Sequence, residues 1–442
     1  MKSLSEFLDY GILVILVVII TKIFGLFPFF GIPLNIVTPV ITFVSLIYIL
    51  LNWKYLSLLK NSILIKSWIL LIAIIPYLFV VIHICLDNYN TAEIFRENGL
   101  VFTQLVLFCS SAILILKGGL KYLTIIGFII FGIIAITFYL DYTFPFVFRL
   151  LKSYIYNGTS TLDASSFEDY QLQRASGFYF NPNAAGFALL NSFALLFPYL
   201  VKKRSFIISF ILSICFVILI FLTGSRGTML SIPIVIFLIT MFVKNLLQTK
   251  NNFSLKFANF SILFIGVFLV VFFISSYLLL YNQLKDSKLS SLAKRIEVFI
   301  PNSDTNLNND RSISHRLESQ QRYLRAIIKS PILGYGSTHF NLLRKTEPDI
   351  VKSHNLYFEI TYMYGIFYLL FYIFCIGLTF YYGISANNIM SGYTLMLFSL
   401  VLFIAGVSNS SIINYRFFVS TLGALIGFYY NTQYFKPQLV HK

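Results

Sequence analysis

The chain has 442 residues, of which 58% are hydrophobic, 18% aromatic and only 11% charged, a balance that excludes a water-soluble core. A net charge of +16 would suggest nucleic acid in a soluble protein. In a membrane protein it follows instead from Lys and Arg gathered in loops on one side of the bilayer, so nucleic acid is not an expected partner.

A spanning helix needs about 20 mostly apolar residues, and the sequence supplies about twelve such runs. They are 9–29, 35–51, 67–84, 99–116, 122–140, 183–200, 206–223, 229–246, 258–280, 356–381, 391–408 and 416–431. Barrel strands would alternate with a period of two, and these runs do not. The pattern predicts an all-α integral membrane protein. The first run lacks a small-residue cleavage site and reads as a retained helix, with Lys22 reaching for the outer interface. The cysteines, Cys85, Cys109, Cys215 and Cys375, lie in or beside apolar runs with no CxxC pair. They read as packing residues rather than a disulfide framework or zinc site.

Alternate loops carry Lys54, Lys60 and Lys66, then Lys117 and Lys121, then Lys202, Lys203 and Arg204, then Lys244, Lys250 and Lys256, with no acid among them. The other set carries Asp87, Glu93, Glu97, Asp141, Asp163, Glu168 and Asp169. Twelve spans with both termini cytoplasmic satisfy this pattern. Residues 1–281 then hold nine spans, with an outer loop near 141–182. Residues 282–353 form one large extracytoplasmic loop with amphipathic helices, and 354–442 carry three more spans and a cytoplasmic tail.

In this topology eleven of the twelve arginines lie outside, Arg204 being the exception. A guanidinium makes paired hydrogen bonds to phosphate and carboxylate that an ammonium cannot, so the outer excess points to an anionic substrate. Ion pairs with outer acids are the alternative. Arg226 is the most exacting case, because "IFLTGSRGTMLSIP" holds it in a short break between two apolar runs. The 141–182 loop opens on "FPFVFRLLKSYIY", suited to a helix in the membrane interface, and ends in "RASGFYFNPNAAGF", where Arg174 stands. Asn183 is a candidate N-cap for the span that follows.

In the large loop, "RSISHRLESQQRYLRAIIKSPILGYG" predicts a helix stopped by Pro331. Arg311, His315, Glu318, Arg322, Arg325 and Lys329 then share one face, and Ile313, Leu317, Leu324 and Ile328 form an opposite face that packs. The next span opens with "KSHNLYFEITYMYG". His354 stands at its mouth beside Asn355, and Glu359 lies a little further in. His83 and His441 read as structural, and His339 falls in the "GYGSTHF" turn.

Together and in order, "RASGFYFNPNAAGF", "TGSRG", "R…SPILGYGSTHF" and "SHNLYFEITYMYG" resemble the bacterial O-antigen polymerase and O-antigen ligase superfamily (Wzy/WaaL-type). The motifs cover about residues 174–381. The resemblance implies a GT-C-like fold and transfer of a glycan from undecaprenyl diphosphate to an acceptor sugar outside the bacterial cytoplasmic membrane. It puts Arg226 and the loop arginines Arg174, Arg311, Arg322 and Arg325 on the diphosphate, and His354 near the acceptor hydroxyl. Arg325 and Gly336 match the arginine–ten residues–glycine spacing of polymerases; Arg174 and Gly186 miss it by one. Many members carry an acid just before the glycine that follows the His-Asn motif. Here Met363 and Tyr364 stand there, so Glu359 must supply any acid that assists the histidine; His315 and Glu318 are the candidates for the base itself should it not be His354.

The chemistry is coherent on its own terms. Guanidiniums can stabilise charge on a departing diphosphate without a metal, and a histidine can take the acceptor proton. No DxD-like acidic pair occurs in the outer loops, so neither metal nor cofactor is expected. The leading reading is a polymerase of lipid-linked repeat units, with a chain-length regulator and flippase as pathway partners. A ligase to lipopolysaccharide core or another surface acceptor is the nearest alternative. A transporter of lipid-linked sugars would instead put ionisable residues near the bilayer midplane.

Overall fold

A computed structural model describes residues 2–21, 34–85, 91–145, 147–148, 175–179, 182–202, 206–223, 225, 228, 311–336, 355–408 and 416–435. In chain order the helices are α1 (Lys2–Thr21), α2 (Leu34–Leu51), α3 (Trp53–Leu59), α4 (Ile63–Ile69), a π-helical turn (Leu70–Ile74), α5 (Ile75–Cys85) and α6 (Thr91–Thr143). There follow α7 (Pro182–Lys202), α8 (Phe206–Thr223), α9 (Arg311–Lys329), α10 (Leu356–Ile384), α11 (Ile389–Ser408) and α12 (Arg416–Tyr434). Among the described residues the fold is all-helical, and every apolar run that falls there lies on a helix. The runs at 229–246 and 258–280, and Lys22, lie outside them.

Three of these helical stretches are long and apolar enough to cross a bilayer: Ile63–Ile82, Phe95–Thr143 and Leu356–Ile384. A fourth results if Ile36–Leu51 and Trp53–Leu59, bent by 79°, make one span. The protein is thus a multi-pass membrane protein. Phe95–Thr143 is too long for one crossing, and its backbone leaves helical geometry at Gly119. Each side of that break is roughly 36 Å long at 1.5 Å per residue, enough for a crossing of its own. The break falls in the sequence between Lys117 and Lys121, where a loop is expected.

The chain divides into two compact units, one of Met1–Ile133, Asn191–Pro198 and Arg311–Lys442, the other of Ile134–Leu190 and Tyr199–Asp310. In the first, polar contacts mark two ends of a helix bundle. At one end Asp9, buried near the start of α1, accepts from Lys117 Nζ at 2.6 and 2.8 Å and from Tyr48 Oη at 2.9 Å. At the same end Asn431 Nδ2 donates to Leu116 O at 2.7 Å, Thr432 bonds Ser391, and Tyr430 bonds Ser62. The opposite end holds Arg416 Nη1 on Thr38 Oγ1 at 2.8 Å, and Tyr357 Oη on Phe403 O at 2.5 Å. The segments expected to be cytoplasmic, namely the N-terminus, the loops around Lys60 and Lys117 and the C-terminal helix end, therefore share one face of this unit.

Packing between helices relies on small residues, as it must where lipid supplies no hydrophobic drive. Gly423 and Gly427, four apart on α12, bring that helix against α6; added Cβ atoms would stand 2.3 Å from Phe108 O and Ala112 O. The π turn has its own partner on α10. Tyr368 Oη donates to Leu71 O at 2.9 Å, and beside it Trp68 Nε1 donates to Thr379 Oγ1 at 2.9 Å.

Asp9 supplies a stability prediction. Its side chain is 2% exposed, so Lys117→Met leaves a buried carboxylate facing only hydroxyls. That variant should lose about 3 kcal/mol, read as a lower Tm of the purified protein in detergent. Adding Asp9→Asn should recover most of the loss. An unchanged Tm for Lys117→Met would show that the pair does not hold this end together.

Candidate active site

In the first unit the site region is built from α9, the turn after it and α10. Helix α9 runs without Gly or Pro from Arg311 and stops before Pro331, as expected from the ring's clash and missing N–H. The chain then folds back tightly: Gly334 N donates to Ser330 O at 3.2 Å and Ser330 Oγ to Gly334 O at 3.0 Å.

Helix α10 starts at a side-chain cap. Asn355 Oδ1 accepts from Tyr357 N at 2.9 Å and Phe358 N at 3.3 Å, satisfying donors that a helix N-terminus leaves open. Nine residues later the helix breaks at Gly365, with φ 79° and ψ 176°. In an unbroken helix Ile366 N would bond Tyr362 O. Instead Ile366 N donates to Pro331 O at 2.8 Å. The freed Tyr362 O accepts from Tyr335 N at 2.8 Å, and Met363 O from Gly336 N at 2.9 Å. The approach tolerates no side chain. A Cβ on Gly365 would meet Ile332 O at 1.8 Å, and one on Gly334 would meet Met363 O at 2.7 Å.

Three tyrosines complete the junction. The Tyr335 ring stacks on Tyr362 at 5.0 Å, and Tyr323 of α9 meets Tyr362 edge-on at 5.1 Å. Tyr335 Oη also donates to Ala326 O at 3.1 Å, tying the turn back to α9.

The face by which α9 packs differs from the expected one. Among its described side chains, those of 318–329, Tyr323 and Ser319 are buried while Leu324 and Ile328 are exposed; Ile313 and Leu317 lie outside them. The Tyr323 ring meets Tyr362 of α10, which turns the Leu324 side outward. On the exposed surface Glu318 accepts from Arg322 at 2.7 Å, one turn apart, and Arg325 is also exposed. Arg311 and His315 lie on the same helix at the spacing that puts them in line with Glu318 and Arg322. Glu359 sits in the first turn of α10 and is buried.

The second unit joins the other two motifs. Ala175 N donates to Leu222 O at 2.9 Å, so the "RASGFY" segment docks on the end of α8 just before "TGSRG". Asp141 Oδ2 holds the segment in place, accepting from Ser176 N at 2.7 Å and Gly177 N at 2.9 Å. After α8, Ser225 Oγ accepts from Thr228 N at 3.4 Å, the geometry of an N-cap, and from Thr228 Oγ1 at 2.8 Å. Thr228 in turn lies against Gly186 of α7. Helix α7 begins at Pro182, one residue earlier than expected, so Asn183 is in its first turn rather than at the cap. Proline suits that first position because its missing N–H has no helical partner there.

Arg174, Arg226 and His354 lie outside the described residues, each next in sequence to one of these fixed points: Ala175, Ser225 and Asn355. Sequence reasoning assigned no role to Asp141, Ser225 or the Tyr323–Tyr335–Tyr362 cluster. Only the S-x-x-T spacing of Ser225 and Thr228 gave a readable signal.

Residues 208–373 match the family model described as O-Antigen ligase. The matched stretch contains the "TGSRG", "SPILGYG" and "HNLYFEITYMYG" motifs and bears out the superfamily read from them. No curated protein matches the chain.

Gly365→Ala tests the junction. The three backbone bonds it would disrupt contribute about 0.5–1.5 kcal/mol each. Tryptic cleavage after Arg322, Arg325 and Lys329 should then accelerate by on the order of 10-fold or more. Gly377→Ala, where a Cβ meets open space, should cleave like wild type. Equal rates in both variants would show that the turn is held by something else.

Proposed function

We propose, taking the O-antigen polymerase and ligase superfamily as premise, that this protein polymerises lipid-linked oligosaccharide repeat units. It moves a glycan from undecaprenyl diphosphate to the next acceptor sugar on the outer face of the bacterial cytoplasmic membrane, serving O-antigen, capsule or exopolysaccharide synthesis. The observation that carries this reading is the pairing of motifs: Ala175–Leu222 joins the Arg174 and Arg226 segments, and the Gly365 junction joins the α9 arginines to the His354 helix.

In the reaction the acceptor hydroxyl oxygen attacks the anomeric carbon, and the bond from that carbon to the diphosphate breaks. The electron pair leaves with undecaprenyl diphosphate, and the proton passes to His354. Arg174, Arg226, Arg322, Arg325 and Arg311 take up the charge that grows on the diphosphate, in a role a divalent ion would otherwise fill. Asn355, next in sequence to His354, is fixed as the cap of α10 and sets the direction in which the chain enters that helix. Glu359 is the nearest acid in sequence to assist that histidine, and His315 and Glu318 on α9 are the alternatives to His354 as base. The apolar spans hold the polyprenyl tail. Arg325 and Gly336 favour polymerase over ligase through their spacing, and Gly336 is a residue that bonds α10.

Arg226→Lys keeps the charge but loses the paired geometry, and it should lower transfer by about 10²-fold while the protein still accumulates in the membrane. Arg204→Ala should be nearly silent. Full activity in Arg226→Lys would reduce that residue to a charge. Deleting the gene and resolving surface glycans on a gel separates the two acceptor classes. Single-repeat products support the polymerase; long chains retained on the lipid carrier would assign a ligase instead.

A further inference from the structure

From Leu356 to Gly365 no residue of α10 is exposed: α9 and its turn cover that part of the helix together with α11 at Tyr357 and Phe79 of α5 at Tyr364. From Ile366 onward the pattern changes, and Ile366, Phe367, Leu370, Phe374 and Ile384 are exposed large apolar side chains. The stretch from Ile366 to Ile384 is roughly 28 Å long at the helical rise, close to the thickness of the hydrocarbon layer. A crossing of that length would put the edge of the lipid on α10 at the Gly365 break.

The bond from Ile366 N to Pro331 O, at 2.8 Å, fixes the turn at that same level. The next two side chains in the turn are apolar and exposed, Ile332 by 58% and Leu333 by 42%. One and two turns back on α9, Ile328 is exposed by 68% and Leu324 by 47%. Beside this apolar row, on the same exposed side of α9, stand Arg322, Arg325 and Lys329. An apolar row edged by cations and level with the end of a span has the pattern of a helix lying in the interface, apolar side in the acyl layer and cations among lipid phosphates.

We propose that α9 and its turn form a lipid-docking surface. Leu324, Ile328, Ile332 and Leu333 enter the leaflet at the Gly365 end of α10, and Arg322, Arg325 and Lys329 lie at its phosphate layer. The occupant is the bilayer itself, as the continuity with the lipid-facing side of α10 requires.

Spin-label accessibility tests this directly. Cysteines are introduced singly as Ile328→Cys, Ile332→Cys and Lys329→Cys, in a chain carrying Cys85→Ser and Cys215→Ser. The protein is reconstituted in vesicles of phosphatidylethanolamine and phosphatidylglycerol. Relaxation by oxygen, which concentrates in lipid, should exceed relaxation by a water-soluble nickel chelate at 328 and 332, and the order should reverse at 329. Higher nickel relaxation at 328 and 332 would put the row in water and overturn the proposal. Exclusion of both reagents there would also overturn it, by showing that protein, whether this chain or a second copy, covers the row.

Discussion

Helix α10 cannot close its hydrogen-bond ladder across Gly365, and the groups it leaves open are what hold the turn after α9. A buried amide or carbonyl without a partner is costly, more so near lipid. Ile366 N, Tyr362 O and Met363 O find theirs in Pro331, Tyr335 and Gly336. The dependence is mutual, since the turn after α9 would otherwise leave its own three groups open: Pro331 O, Tyr335 N and Gly336 N. One broken helix thus anchors the segment that carries Arg322 and Arg325. It also marks where α10 changes from protein-covered to exposed.

The second unit achieves a comparable result by different means. There the anchor is a carboxylate: Asp141 gathers two consecutive amides of the "RASGFY" segment, and the open carbonyl of Leu222 takes a third. In both units backbone bonds, rather than side-chain packing alone, fix the chain beside the residues assigned to chemistry. For the proposed reaction, whose main demand is charge stabilisation, this is the useful kind of support. Arginines on long flexible side chains gain precision only if the backbone beneath them does not move.

Much of this was legible in the sequence, for reasons tied to particular residues. Apolar runs locate helices well because lipid forces every backbone bond to be made within the segment. Pro331 stops α9 where expected, and Arg311 to Lys329 is helical throughout. The packed face of α9 was not legible. Leu324 and Ile328 look like core residues by hydropathy, yet the structure buries Tyr323 and Ser319, since Tyr323 meets the aromatic ring of Tyr362 on α10. The break at Gly365 was equally hidden, because "TYMYGIFYLL" reads as uninterrupted apolar sequence. The glycine pair at 423 and 427 did leave a signal in its four-residue spacing.

The proposed reaction divides labour between arginines that hold the donor and His354, which takes the acceptor proton. Transfer by purified His354→Ala protein, measured alongside binding of the undecaprenyl-diphosphate-linked donor, tests that division most directly. Turnover should fall by about 10²–10⁴-fold while donor affinity stays near the wild-type value. Wild-type turnover in the variant would remove His354 from the chemistry, and loss of donor binding would make it a phosphate ligand instead.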